Sequence, residues 1–383
     1  MYNVCLDATG IVNFPTGLGK YSLHIIKAMT THKDFRFAIL YQRSLVKNHP
    51  LFDLTSRPIT FIPIDSPVIG PRRERNLFSF RKRINRMDLF HCLSSYMPAF
   101  GIKVPTIITV HDLKYLRYPQ LLGLRLKTVY YSWIIKRGIR KAAHIIAVSE
   151  STKNDIVNLG TDCGKIKVIY EANTLSYDKR ADSPPSGIGG KPFMLFVGED
   201  RPHKNIDRLI RAHLTLYDSL GERCPRLVLA GPDFQRLSRK YSEIADKVGI
   251  IFAGSVDDNR LMQLYRNALA LVYPSLYEGF GLPILEAMAA GTPVITSNYS
   301  AMAEVAGSAA ILVDPMSVDQ INQAMMKIAL HPAEHDRLKR LGLRHVRKYS
   351  WEKAALSTLK LYEHVISTNA SFRGIRDYEE DLY

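Results

Sequence analysis

Short, uninterrupted apolar runs alternate along the chain with stretches whose apolar residues recur at helical spacing. The rhythm is clearest after Pro192. FMLFVG predicts a strand ending at Gly198, and IDRLIRAHLTLYDSL predicts a helix. RLVLAGP and GIIFAGSV read as two further strands and DNRLMQLYRNA as a helix. LALVYPS is a strand, PILEAMAA a helix closed by Gly291, and PVITS and AAILVDP complete the series. The first half repeats the pattern less cleanly: YNVCLD, a helix from Lys20 to Met29, FRFAIL, DLFHCLS, TIITVHD, a long helix over Thr128–Lys141, HIIAVS and KVIYEA. Strands that are apolar throughout and alternate with helices form parallel sheets covered on both faces. Between the halves, DKRADSPPSGIGGKP (Asp178–Pro192) concentrates proline, glycine and serine and reads as a linker. The expected fold is therefore α/β, with two doubly wound, Rossmann-like domains whose strand-end crevices face each other across a cleft.

A chain of 383 residues suits two such domains, and 46% hydrophobic with 23% charged residues is a globular composition. The opening MYNVCLDATG has no basic segment before an apolar stretch, so no signal peptide is expected, and no apolar run is long enough to span a bilayer. Cys5, Cys92, Cys163 and Cys224 are scattered, which favours neither a disulfide framework nor a zinc site and fits a reducing cytoplasm.

Charge changes the picture more. Residues 1–175 hold 26 Lys and Arg against 11 Asp and Glu, which is nearly all of the formal net charge of +16. An anionic partner for that half is implied: nucleic acid, lipid or a phosphorylated substrate. PRRERNLFSFRKRINR (Pro71–Arg86) carries seven of these cations among Leu77, Phe78 and Phe80, and Arg125–Lys141 adds more beside Tyr130, Tyr131 and Trp133. Arg72, Arg73, Arg75, Arg81, Lys82 and Arg83 are the candidate contacts to an anionic surface.

The candidate chemistry gathers in the second half. Gly198, Gly231 and Gly254 end strands, where a missing Cβ lets backbone approach a phosphate or a base. Lys204 and Arg201, in VGEDRPHKN, supply cations just past the first of those strand ends. In EGFGLPILE, Pro283 suits a first helical turn, and the amides of Phe280, Gly281 and Leu282 would make a helix-start anion site. Glu286, one turn in, and Glu278, just before, are placed to meet hydroxyls of the same ligand. Two carboxylates separated by seven residues also admit a glycoside hydrolase, but that leaves the strand-end glycines and Lys204 without a role.

These stretches resemble the donor domain of the retaining glycosyltransferases of family 4, which have the GT-B fold. The likeness runs through FVGEDRPHKNIDRLIRAH, LVLAGP, the segment from IIFAGSV to PVITSN, and EVAGSAAILVDP; TGLGKYSLHI, TVHDL and HIIAVSESTKNDI in the first half resemble the family more loosely. The resemblance implies transfer of a sugar from a nucleoside diphosphate sugar with retention, no obligatory metal and no other cofactor. It implies an acceptor-binding domain over 1–177, completed by a C-terminal helix at about 365–383, and a donor-binding domain over 178–364. Carried over, Glu286 holds the ribose, and Glu278, Phe280, Gly281 and Leu282 meet the sugar and diphosphate. Lys204 binds phosphate, with Arg201 as second cation because Glu199 and His203 stand where relatives place arginine. Gly254, Ser255 and Val256 approach the base, Gly17 and Gly19 form the loop near the donor phosphate, and His111 lies near the transferred sugar. His91 and His144, on apolar strands, are expected in the core, and Glu304 is read as structural. With the basic half, the resemblance leads to an expected lipid-linked saccharide acceptor at an anionic membrane surface and a peripheral place on the inner face of the cell membrane. GDP-mannose is favoured as donor; a UDP-sugar donor, or a nucleic-acid-binding protein, are the alternatives.

Overall fold

In the computed structural model the described residues are 1–13, 16–54, 59–65, 70–98, 100–123, 125–175, 183 and 185–380. The chain divides into two compact units, residues 1–171 with 350–383, and residues 172–349. The first contains strands β1 (Tyr2–Asp7), β2 (Phe35–Gln42), β3 (Ile59–Ile64), β4 (Leu89–Cys92), β5 (Thr106–Val110), β6 (His144–Ala147) and β7 (Ile166–Val168). They form one sheet in the order β3-β2-β1-β4-β5-β6-β7, with every pair parallel. The second contains β8 (Phe193–Val197), β9 (Arg226–Ala230), β10 (Ile250–Gly254), β11 (Ala270–Tyr273), β12 (Val294–Ser297) and β13 (Ile311–Val313), in the order β10-β9-β8-β11-β12-β13, again all parallel. Both orders reverse once, between β1 and β4 and between β8 and β11. Ligands of doubly wound sheets bind beyond the carboxyl ends of the strands at such a reversal.

Helices Gly17–Met29, Ile206–Leu220 and Asp258–Asn267 each bury one apolar stripe, as their spacing predicts. Several features depart from the sequence reading. ITFIPI forms the edge strand β3, and Pro71–Ile84 is a helix that the density of charge had obscured. Val318–Leu330 and Pro332–His345 are two more helices the pattern had not resolved. The helix at Gly17 starts three residues before Lys20, because Thr16 Oγ1 accepts the Gly19 amide at 3.0 Å and caps it. The chain returns to the first unit at Ser350, not near 365, and leaves it after Glu171, not 177. The reason for the early return is Trp351, which is buried against Tyr21 (ring centroids 5.8 Å apart) and stacks on His24 (5.4 Å). Most of the proline- and serine-rich half of the expected linker, 178–182 and 184, lies outside the described residues; beyond it, Arg226 and Arg260 donate to the carbonyls of Ile188 and Ser186.

One expected surface cation is internal. Arg73 is 1% exposed and pairs with Asp7 at the carboxyl end of β1, while the same nitrogen donates to the Tyr96 carbonyl at 3.0 Å. Its position on helix Pro71–Ile84 faces the sheet, in register with Leu77 and Ile84, so it is a buried structural ion pair and not a membrane contact. Arg72, Arg75, Lys82 and Arg83 are exposed, and Arg81 lies 3.8 Å over the Phe78 ring. The aromatic cluster likewise divides: Tyr131 is core, whereas Trp133 is 44% exposed. His91 is fully buried, as expected, between Tyr362 and Thr109. His144 is half-buried at the start of β6, its ring edge-on to His364, and so stands at the margin of the core.

Candidate functional site

The reversal between β8 and β11 brings two loops together. Asn205, in a left-handed conformation after β8, fastens its loop to those after β11 and β13 by donating to the carbonyls of Pro274 (2.9 Å) and Pro315 (2.6 Å). Beside this clasp, Lys204 Nζ donates to Glu278 Oε1 at 2.6 Å and to Tyr273 Oη at 2.7 Å, and Tyr273 Oη donates to the same carboxylate oxygen at 2.8 Å. Lys204 and Glu278 are almost enclosed, with side chains 12% and 14% exposed. Burial pushes the Glu278 carboxyl up, but Lys204, His203 and the Tyr273 hydroxyl outweigh it and hold the group below the usual carboxylate range. Burial opposes the Lys204 charge too, and Glu278 and Tyr273 more than reverse it, so the ammonium is held well above the ordinary lysine range. Burial and Glu278 raise the Tyr273 phenol, which keeps it a hydrogen-bond donor. The site is thus a fixed ammonium, a fixed carboxylate and a hydroxyl around one point.

Glycines shape the neighbouring backbone. A Cβ at Gly231 would sit 1.9 Å from the Gly198 carbonyl oxygen, so the ends of β8 and β9 approach as only glycine permits. Gly198 donates to Ala230 O and Gly231 to Gly254 O, which lines up the three strand ends. Gly254 and Val256 are half-buried and Ser255 is exposed at the end of β10, two strands from the reversal.

Gly281 (φ 95°) caps helix Leu282–Ala290, with Pro283 in the first turn. That helix starts beside Glu278, whose backbone carbonyl accepts from Ser300 Oγ at 2.8 Å. Phe280 turns its ring inward onto Tyr349 (6.0 Å), which fixes the loop's path. Glu286, fifth in the helix, is 3% exposed; Oε1 accepts from Thr174 Oγ1 at 2.6 Å and Oε2 from Tyr265 Oη at 3.0 Å. Burial together with Glu286 raises the Tyr265 phenol, which also stays a donor. Arg201 is half-exposed and pairs with Glu199 at 3.2 Å, so its salt bridge runs back along its own loop.

In the first unit, His111 follows β5. Its Nδ1 lies 2.9 Å from Glu171 Oε1 and its Nε2 3.1 Å from the Leu93 carbonyl, with the Tyr21 ring edge-on at 4.5 Å. Both partners of the imidazole are acceptors, so each nitrogen faces a group that asks it to donate. Tyr21 Oη meets Thr109 Oγ1 at 3.2 Å, and Thr109 meets His91, which is bonded to Tyr362. A buried polar chain therefore runs from the C-terminal helix to the ring beside His111. Gly17 and Gly19 belong to the first turn of a helix rather than to an open loop.

The sequence reading missed Tyr273, Asn205, Tyr265, Thr174 and Glu171. Tyr273, Tyr265, Thr174 and Glu171 are partners of residues it had named, and Asn205 ties backbone carbonyls of other loops; such pairings leave no local spacing to read. Among the described residues, no group of three or more His, Cys, Asp or Glu side chains is placed to hold a metal ion, and no helix is long and apolar enough to cross a membrane.

Residues 178–344 match the family model described as Glycosyl transferases group 1, and residues 16–172 the one described as Glycosyltransferase Family 4. The O-antigen chain mannosyltransferase B of Escherichia coli is 26% identical over 383 residues, covering 93% of this chain and 98% of its own. The O-antigen chain mannosyltransferase RfbU of Salmonella typhimurium is 31% identical over 245 residues, covering 60% of this chain and 65% of its own. Among solved structures, the sucrose-phosphate synthase from Thermosynechococcus elongatus is similar with a TM-score of 0.75 at 18% identity, over 96% of this chain and 100% of that one. That last likeness is one of fold.

Proposed function

The chain belongs to the glycosyltransferases of group 1 and family 4, with the GT-B fold, and from that premise we propose that it moves mannose from GDP-mannose to a lipid-linked saccharide in surface-glycan assembly. The observation that carries the donor site is the Lys204–Glu278–Tyr273 cluster at the sheet reversal. In this reading the donor diphosphate takes the Lys204 ammonium as its counter-ion, and the start of helix Leu282–Ala290 adds its dipole. Glu278, relieved of part of its hold on Lys204, turns an oxygen to the sugar. Glu286 exchanges a bond to Thr174 or Tyr265 for the ribose hydroxyls. His111 is assigned to the transferred sugar, and Arg201 offers the diphosphate a second cation once it parts from Glu199. Mannose is favoured because the relatives named above are mannosyltransferases of O-antigen chains.

Transfer is read as front-face. The acceptor oxygen bonds to the anomeric carbon while the bond from that carbon to the β-phosphate oxygen breaks. The acceptor proton passes to the departing phosphate, and the configuration is retained. Tying Glu278 to Lys204 and Tyr273 favours this course over attack by an enzyme carboxylate. The chain's contribution is then positioning and stabilisation of the leaving charge, with no metal required. The excess charge of residues 1–175, with exposed Arg72, Arg75, Lys82 and Arg83, supports a peripheral seat on the anionic inner face of the membrane. The test is product analysis. Incubation with GDP-mannose, UDP-glucose or dTDP-sugars and a lipid-linked acceptor, followed by NMR of the new linkage, should show an α-mannoside from the α-donor in the presence of EDTA. A β-linkage, or loss of turnover on chelation, overturns the mechanism.

A further inference from the structure

The fold joins two cationic segments that lie far apart in the sequence. Helix Pro71–Ile84 and helix Arg125–Lys141 meet at the loop after β4. Gly101 of that loop is packed so tightly against Phe78 and Arg81 that a Cβ would lie 2.9 Å from either, and Asn85 Nδ2 donates to its carbonyl at 2.9 Å. From the other side, the Arg137 guanidinium lies 5.1 Å from the Phe100 ring and 5.8 Å from the Trp133 ring. Between them is a pocket of about 210 Å³, lined by Met97, Phe100, Ile102, Arg137, Gly138 and Lys141 among others. Among the described residues, no carboxylate lines it. Gly138 keeps the helix close, since a Cβ there would be 3.3 Å from Met97 and 3.5 Å from the Ser95 carbonyl.

The surface beside the pocket is unusual for one facing water. Leu126, Val129 and Trp133 follow one another along the outside of helix Arg125–Lys141 and are 85%, 67% and 44% exposed, and Phe100 and Phe78 are 62% and 43% exposed. Lys136, Arg140 and Lys141 share that exposed side. An apolar stripe bordered by cations suits the boundary between lipid headgroups and acyl chains. A pocket holding two cations within that boundary suits a phosphate.

We propose that this pocket is a specific site for the phosphate of a membrane lipid, read by Arg137 and Lys141 while Trp133, Val129 and Leu126 enter the interface. The occupant is a phosphate-bearing lipid rather than a soluble phosphate, because the exposed apolar residues beside the pocket have no use for the latter. The proposal rests on the membrane reading above and adds to it a headgroup-selective contact away from the donor site.

The experiment is vesicle flotation at equal surface charge, with phosphatidylcholine vesicles carrying either phosphatidic acid or phosphatidylglycerol. Wild-type protein is expected to favour the exposed phosphomonoester. Arg137→Ala/Lys141→Ala should lose that preference and bind phosphatidic acid about 30-fold more weakly, roughly fivefold for each cation at an anionic surface. Trp133→Ala should weaken both kinds of vesicle alike. A GDP-induced rise in melting temperature that matches the wild type shows that the variants are folded with the donor site intact. A double variant that binds as the wild type does overturns the pocket while the membrane reading stands. A wild type that binds neither vesicle overturns both. Calorimetric binding of inorganic diphosphate that the double variant loses, with no vesicle binding by the wild type, overturns the lipid as its source.

Discussion

Lys204→Met is the most informative perturbation, because structure and chemistry make separate claims about it. It removes the ammonium from a nearly enclosed cluster and leaves Glu278 with the Tyr273 hydroxyl at 2.8 Å. Breaking an enclosed ion pair by removing one partner costs about 3–5 kcal/mol, since the remaining charge is stranded. The retained phenol bond and the residual 12–14% exposure set the expectation at the lower end, about 3 kcal/mol. For a unit of this size that is a fall in melting temperature of roughly 6–12 °C. Adding Glu278→Gln removes the stranded charge and should restore most of the loss, so the double-mutant cycle should show a coupling of about 2 kcal/mol or more. Activity should not follow stability. Loss of a cation that stabilises a leaving diphosphate costs about a hundredfold or more in kcat, and Lys204→Met/Glu278→Gln should stay that slow although it is stable. Calorimetric melting and transfer assays on the four proteins decide the matter. If Lys204→Met melts like the wild type, or if the double variant regains turnover, the reasoning about this cluster is wrong.

Two further outcomes follow from the first unit. Glu171→Gln keeps the shape of the His111 contact but removes its charge, which should lower kcat about tenfold, the difference between a charge-assisted and a neutral hydrogen bond. KM and melting temperature should be little changed, and a change in KM alone would assign Glu171 to substrate binding instead. Burial, with His111 nearby, pushes the His91 imidazole down to about 3 from an ordinary 6.5. The unfolded chain then binds the extra proton between those values, so the stability His91 contributes is complete above pH 6.5 and declines as pH falls towards 3, by about 1.4 kcal/mol per unit at most. Denaturant titrations across that range should lose much of their slope in a folded His91→Gln variant, and an unchanged slope would remove His91 as the cause.

Much of the second unit was legible because its determinants are local. Apolar runs ending in Gly198, Gly231 and Gly254, and Pro283 after Gly281, name a strand end or a helix start by themselves. What was not legible depends on partners distant in sequence. Arg73 sits among seven cations that look alike, and only its place opposite Asp7 makes it internal. Glu286 was named for its helical position, but its bonds to Thr174 and Tyr265 come from residues 112 and 21 positions away. Helix Pro71–Ile84 was obscured because its one buried stripe contains an arginine, which breaks the apolar period. The union of the two cationic helices around Gly101 is likewise a product of tertiary packing.

The central claim is that the second unit holds a nucleoside diphosphate sugar through Lys204 and Glu286, and isothermal titration with GDP-mannose tests it most directly. The expected result is one site per chain in the wild type, with binding at least tenfold weaker after Lys204→Met and after Glu286→Gln. Absence of binding by any sugar nucleotide, or an affinity that neither substitution alters, would contradict it.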